Sequence, residues 1–282
     1  MNSSEQGLVP RWLTALLMFA FSLMALLVLY ALGLGILYYF LTILVCLLLW
    51  TYVDRQTPAG LGLRFATGWK RSLLLGFAVG AAAMFAIGAI EVLAGWVILV
   101  PPTPAQWAIA GVVLGVYVIW QCLVAFGEEL VSRGYIQQNL ATKVTGPWAV
   151  GFSAVLFALL HGPNIVLNGL SLPLAAIMLL NLTLGGLLLG WGFLRTRTLW
   201  FPIGFHFAWN FMEYHVLGFG GNGLYTVYNV GLEVLTGGSV GPEAGLIGTA
   251  AFLVVLLLIW KFPRTWLAAR GAPSAAEKTG GG

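Results

Sequence analysis

Acidic side chains are scarce in this chain: 282 residues hold nine Asp plus Glu, and Asp54 is the only aspartate. Charged residues make up 8% of the whole against 60% hydrophobic, and mean hydropathy is +0.94. A water-soluble domain of this length needs a far more polar shell, so the composition excludes one. The short alternating segments of an outer-membrane barrel are also missing; the apolar stretches are long and few, which selects helices. Cysteine occurs only as Cys46 and Cys122, each alone in an apolar run without C-x-x-C or another metal-type spacing, so both read as small buried apolar residues. The net charge of +4 is no sign of a nucleic-acid partner, because basic residues flanking membrane spans account for nearly all of it.

What is present is a succession of apolar runs. Residues 12–53 carry no charge. At 1.5 Å per residue that run is about 63 Å long, roughly twice a bilayer core, and reads as two spans reversing near Gly33-Leu34-Gly35. Tyr30, Tyr38 and Tyr39 flank the reversal as an interfacial aromatic belt would. The run is too long for a signal-peptide apolar region, and no cleavage site is convincing. Residues 1–53 are thus expected as an N-terminal hairpin and 54–71 as a basic cytoplasmic loop. A third span is expected over about 72–99, holding Glu91 and ended by the Pro101–Pro104 stretch PPTP. A fourth helix begins near Ala105, and a fifth runs from Pro147 to about His161. Further spans fall near 173–194, 200–217 and 244–260. Residues 72–260 would form the membrane-embedded catalytic bundle and 261–282 a disordered cytoplasmic tail. The expected fold is all-α: a polytopic membrane helix bundle of about eight transmembrane helices.

Charge asymmetry orients it. With both termini cytoplasmic, twelve of the thirteen basic residues fall on the cytoplasmic side, and the connections after spans three, five and seven carry no Lys or Arg. The expected location is a bacterial or archaeal plasma membrane. The exception to the charge rule is Arg133, just after the adjacent pair Glu128-Glu129. If the fourth helix continues to about Asn139, all three charges lie inside the membrane. Glu128 is then ~22 Å of rise from Lys143, and His161 ~21 Å from Pro147, so the two can meet at one depth. Glu129 and Arg133 are one turn apart and can pair on one face, leaving Glu128 free as the working carboxylate. A helix end at Phe126 would instead make these ordinary interfacial charges.

Only three histidines occur, His161, His206 and His215. His161 shares a face with Phe157. His206, Asn210 and Glu213 form a polar stripe on an apolar span, expected to face a polar interior as functional groups or as an interhelical hydrogen-bond network. His215 lies off that stripe and is expected at the interface. Glu128, His161, His206 and Asn210 suit hydrolysis of a carbonyl: Glu128 accepts a proton from water, His161 orients the water, and His206 with Asn210 donates to the oxyanion. Ser132, Ser153 and Ser171 lack a Ser-His-Asp context.

These residues also carry a resemblance. EELVSR (Glu128–Arg133) resembles the E-E-x-x-x-R motif of the CPBP family, the CAAX prenyl protease and bacteriocin-processing membrane proteins, also called Abi. FALLH (Phe157–His161) resembles its F-x-x-x-H motif and HFAWN (His206–Asn210) its H-x-x-x-N motif, in the family's order. The resemblance covers about residues 105–217 and leaves the first two spans outside. It implies an intramembrane endopeptidase with Glu128 as catalytic glutamate, His161 as partner, His206 and Asn210 as oxyanion-stabilising pair, and Glu129 and Arg133 in support. The implied partners are a peptide or protein substrate, lipidated in the prenyl-protein proteases, and membrane lipids.

Two choices stay open on the residues alone. A zinc-like divalent ion could be held by Glu128, His161 and His206, although H-E-x-x-H is absent; a metal-free, glutamate-based mechanism is favoured. The polar set could also belong to a non-catalytic immunity or adaptor protein that binds peptides. A proton-coupled transporter would use Glu91, Glu128 and Glu213 as a relay, but no duplicated halves are evident. Glu91 reads as structural, within reach of a crevice or an amide partner.

Overall fold

The computed structural model describes residues 9–221 and 223–261. The expected disordered tail, apart from Lys261, lies outside the described residues, as do Arg264, Arg270 and Lys278.

The charge-free run folds as two helices, α1 (Arg11–Ala31) and α2 (Gly35–Leu48), the latter continued by a π-helical turn over Leu49–Val53. The reversal between them uses Gly33 at φ 72, a conformation glycine adopts without steric cost. Helix α3 (Trp69–Leu93) ends earlier than expected. Gly95 at φ 70 turns the chain, and Val97–Val100 becomes strand β1. Its β-branched sequence VILV suits a strand, and it pairs antiparallel with β2 (Thr226–Asn229), Val97 opposite Asn229. This two-stranded ribbon is the one departure from an all-helical architecture among the described residues.

Helix α4 (Pro104–Glu129) starts at a capping box in which Thr103 and Gln106 satisfy each other's backbone donors. It does not stop at Phe126. A π-helical segment, Leu130–Gln137, and a last turn, Gln138–Leu140, carry it on as one rod of 37 residues. Helix α5 (Gly146–Leu160) is followed, after His161, by the short α6 (Gly162–Leu167). Helix α7 (Leu172–Thr196) leads to α8 (Trp200–Asn210), which continues as a π-helix over Phe211–Leu217. A connection containing β2, the short α9 (Glu233–Thr236) and a 3-10 turn at Pro242–Ala244 leads to α10 (Leu246–Lys261).

Among the described residues six helices are long and apolar enough to cross a membrane, and they match the first six expected spans. The helix over 200–217 is about 27 Å long and α10 about 24 Å within the described residues, both short of a ~30 Å hydrocarbon core. Lipid-facing positions are apolar and open: Val112, Val116 and Ile119 of α4 are 74%, 60% and 73% exposed. Cys46 is buried as expected, but Cys122 is exposed, because an apolar side chain facing lipid has no need of burial.

Helices α3 and α8 pack at backbone contact. A Cβ added at Gly76 would strike the Phe201 carbonyl, and one at Gly204 the Leu73 carbonyl. With little hydrophobic drive between helices in lipid, such small-residue approach supplies the packing. It seats α8, and with it His206 and Asn210, against the bundle.

Candidate active site

Helix α4 brings Glu128, Glu129 and Arg133 into the protein interior. The side chains of Glu129 and Arg133 are 0% and 1% exposed and bond at 2.8 Å, Arg133 Nη1 to Glu129 Oε1. Arg133 also donates to the Gly186 carbonyl of α7 at 3.3 Å and lies 4.4 Å above the Phe157 ring. The same Oε1 accepts a second bond of 2.8 Å from His206 Nδ1. A carboxylate only accepts, so Nδ1 carries the proton and Nε2 turns the other way. Glu129 is therefore shared between a cation and an imidazole, a larger role than its pairing with Arg133 alone.

Glu128 points to the other side. Its Oε2 lies 3.9 Å from His161 Nε2 and 3.8 Å from His206 Nε2, and its side chain is 17% exposed. His161 donates through Nδ1 to the Phe157 carbonyl at 2.9 Å, one helical turn back, which fixes its ring with Nε2 toward Glu128. Phe157 braces the arrangement, its ring 4.8 Å from that of His161 and 6.2 Å from that of His206. Three helices thus deliver one carboxylate and two imidazole nitrogens to a single point, at separations too long for direct hydrogen bonds.

Asn210, one turn beyond His206, lines the same cavity and donates to Gln121 Oε1 at 3.4 Å. Gln121 in turn meets His215 Nε2 at 2.9 Å. Sequence reasoning passed over Gln121. Its signal was a buried amide on an otherwise apolar helix, two turns before Glu128. His215 is not interfacial: it is 6% exposed and stacks on Tyr117, ring centroids 3.8 Å apart. Tyr39 was also missed. Its hydroxyl donates to Glu128 Oε1 at 3.3 Å, so the first hairpin touches the site. Tyr38 and Tyr39 are each 6% exposed and face inward rather than forming an interfacial belt; Tyr30 is 40% exposed.

Glu213 departs from the expected stripe. The π-helical turn after Asn210 changes the angular step per residue, and Glu213 does not line the cavity. It is fully buried and its Oε1 accepts the Glu243 backbone N–H at 3.4 Å, which ties down the connection before α10. Glu91 is fully buried at the end of α3, and neither of its oxygens has a hydrogen-bond partner among the described residues. It does not line the cavity with Glu128 either, so no three-glutamate relay is assembled there. Among the described residues no group of three His, Cys, Asp or Glu is arranged to hold a metal ion, Glu128, His161 and His206 included.

The cavity above Glu128 has a volume of about 490 Å³, within the range of ligand pockets. Its walls alternate aromatic rings (Trp120, Phe205, Trp209) with amides (Gln121, Asn164, Asn210). The helical bundle thus encloses a carboxylate and two imidazoles at the floor of a cavity with aromatic and amide walls. Residues 106–212 match the family described as Type II CAAX prenyl endopeptidase Rce1-like, the CAAX-protease relationship that the three motifs carry. The matched segment spans α4 to α8 and contains Gln121, Glu128, Glu129, Arg133, His161, His206 and Asn210, while Tyr39 and His215 lie outside it. No curated protein and no solved structure matches the chain.

Proposed function

We propose that the chain is an intramembrane endopeptidase that hydrolyses a peptide bond with a water activated by Glu128, without a metal ion. The observation that carries this reading is the meeting of Glu128 Oε2 with the Nε2 atoms of His161 and His206 at 3.9 and 3.8 Å. A water between these atoms donates one proton to the carboxylate and the other to the imidazole of His161. Glu128 takes the first proton as the water oxygen bonds to the carbonyl carbon. The oxyanion that forms receives Nε2–H from doubly protonated His206 and N–H from Asn210. Glu129 is the shared counter-charge of His206 and Arg133, and Glu128 supplies the second negative charge that faces His206. As the tetrahedral intermediate collapses, the leaving amine takes the proton held by Glu128. The substrate is a peptide or protein segment that reaches the membrane, lipid-anchored segments included.

Peptide cleavage by the purified protein, read by mass spectrometry, tests this. Wild type is expected to cut labelled peptides, and Glu128→Ala to lose about 10²–10⁴ of the rate while keeping its melting temperature. A chelator should leave cleavage unchanged; loss of activity on chelation would overturn the metal-free mechanism. Undiminished cleavage by Glu128→Ala would remove Glu128 from the role of base. Wild-type binding of peptides with no cleavage at all would favour the immunity or adaptor role over a protease.

A further inference from the structure

We infer that the cavity takes its substrate from the membrane face opposite the basic loops, so that the segment to be cut is presented on the extracytoplasmic side. This rests on the protease reading for the word substrate, and on geometry for the direction.

The direction follows from where each helix contributes to the cavity. Arg11 opens α1, Arg55 and Arg64 follow α2, Lys143 follows α4, Arg195 closes α7 and Lys261 closes α10, so consecutive crossings place all of them at one end of the bundle. That end is cytoplasmic by the charge rule. The cavity is lined from the other ends of α1, α2 and α5, and it reaches past the midpoints of α4 and α7 before it closes. From α1 and α2 it takes Tyr30 and Tyr39, next to the reversal at Gly33. Helix α4 contributes to it as far as Glu128, past which only a small pocket of about 40 Å³ reaches Val131 and Ser132, and α5 contributes from Phe157 onward. Along α7 the lining stops at Leu189, and along α8 it begins at Phe205. The rim is built by Phe219, Gly220, Ser239, Val240 and Glu243, all in the connection between α8 and α10 that carries no Lys or Arg.

Beneath Glu128 the opposite route is closed by packed side chains. Leu61, Leu130, Tyr135 and Leu199 are each 0% exposed there, with Trp50 at 2% and Phe193 at 4%, and they form one apolar cluster. Gly134 packs against the Leu61 carbonyl, where a Cβ would come within 3.0 Å of the oxygen. A peptide coming from the cytoplasmic end would have to unpack this cluster, whereas the rim side needs no rearrangement of core. The rim itself is anchored: Asn181 Nδ2 donates to the Glu243 and Gly245 carbonyls at 3.0 and 2.9 Å, and its Oδ1 accepts from Thr249 at 2.6 Å.

Single-cysteine accessibility tests the direction without relying on catalysis. In a Cys46→Ala, Cys122→Ala background, Ser239→Cys reports the rim, Val124→Cys the deep wall one turn from Glu128, and Lys143→Cys the basic end. A membrane-impermeant maleimide is applied to intact cells and to inverted vesicles. Ser239→Cys and Val124→Cys should label at least tenfold faster from the cell exterior, and Lys143→Cys should show the opposite preference. If Val124→Cys folds poorly, Leu182→Cys, also a buried position of the cavity wall, takes its place. Labelling of the deep wall only from the Lys143 side would overturn the inference. Exterior labelling combined with no peptide cleavage by wild type would uphold the access route and overturn the protease reading, so the two failures are distinct.

Discussion

Two adjacent glutamates on one helix meet different surroundings because successive residues point about 100° apart. Glu129 lies in a dry site between Arg133 and His206, while Glu128 faces the cavity. Replacing Glu129 by Gln leaves Arg133 buried without its counter-charge, and we expect a loss of about 3–5 kcal/mol in unfolding measured in detergent. Adding Arg133→Met to that variant should restore much of the loss, because it removes the stranded charge. Tyr39→Phe removes one hydrogen bond to Glu128 and no packing. We expect it to lower kcat/KM by up to about tenfold, equivalent to ~1.4 kcal/mol, with an unchanged melting temperature. At this scale Glu128, His161, His206, Asn210, Glu129 and Arg133 were legible, since an ionisable or amide side chain stands out on an apolar span. Tyr39 and Gln121 were not: a tyrosine near a helix end or a single amide has many uses, and only the packing of α2 and α8 on α4 gives them theirs.

Elements set the depth and the facing of those residues. The long rod from Pro104 to Leu140 carries Glu128 well inside the bundle, and the close approach of α3 and α8 holds His206 opposite it. Gly204→Ala drives a methyl group into the Leu73 carbonyl, so we expect about 1–3 kcal/mol of destabilisation and a fall in cleavage as His206 shifts. Gly115→Ala is the contrast: nothing lies within 4 Å of its added Cβ, and the change should be neutral or stabilise by up to ~1 kcal/mol. Thermal unfolding of both variants checks the pair. Helix existence was legible from apolar run length at nearly every span. The π-helical turns were not, because a bulge in a helix is selected by tertiary contacts rather than by local propensity; hence the misplaced stripe that ended at Glu213. The strand at Val97–Val100 was hidden in an apolar run whose composition suits a span as well as a strand.

Across the whole molecule, the first hairpin is joined to the matched segment by a buried polar knot at the end of the bundle that holds the basic loops. Asp54 accepts from Thr14 at 3.0 Å and from Asn139 at 2.8 Å, and Asn139 Oδ1 accepts from Arg11 at 2.9 Å. Asp54→Ala removes the buried acceptor that Thr14 and Asn139 share, leaving Thr14 its bond to the Arg11 carbonyl and Asn139 its bond to Thr14, and we expect a loss of about 1–3 kcal/mol, measurable as a lowered melting temperature with the cavity residues untouched. The hairpin is thus part of the bundle, a point the motifs could not address because it lies outside them. Membrane residence and helix number to within the two short spans were determined by the sequence itself, since lipid imposes its constraint on every residue of a crossing. Which side chains converge, and which polar groups face the cavity or turn away from it, were decided by tertiary structure alone. Those outcomes depend on helix rotation and on contacts between residues as far apart in the chain as Tyr39 and Glu128, where periodicity and composition carry no information.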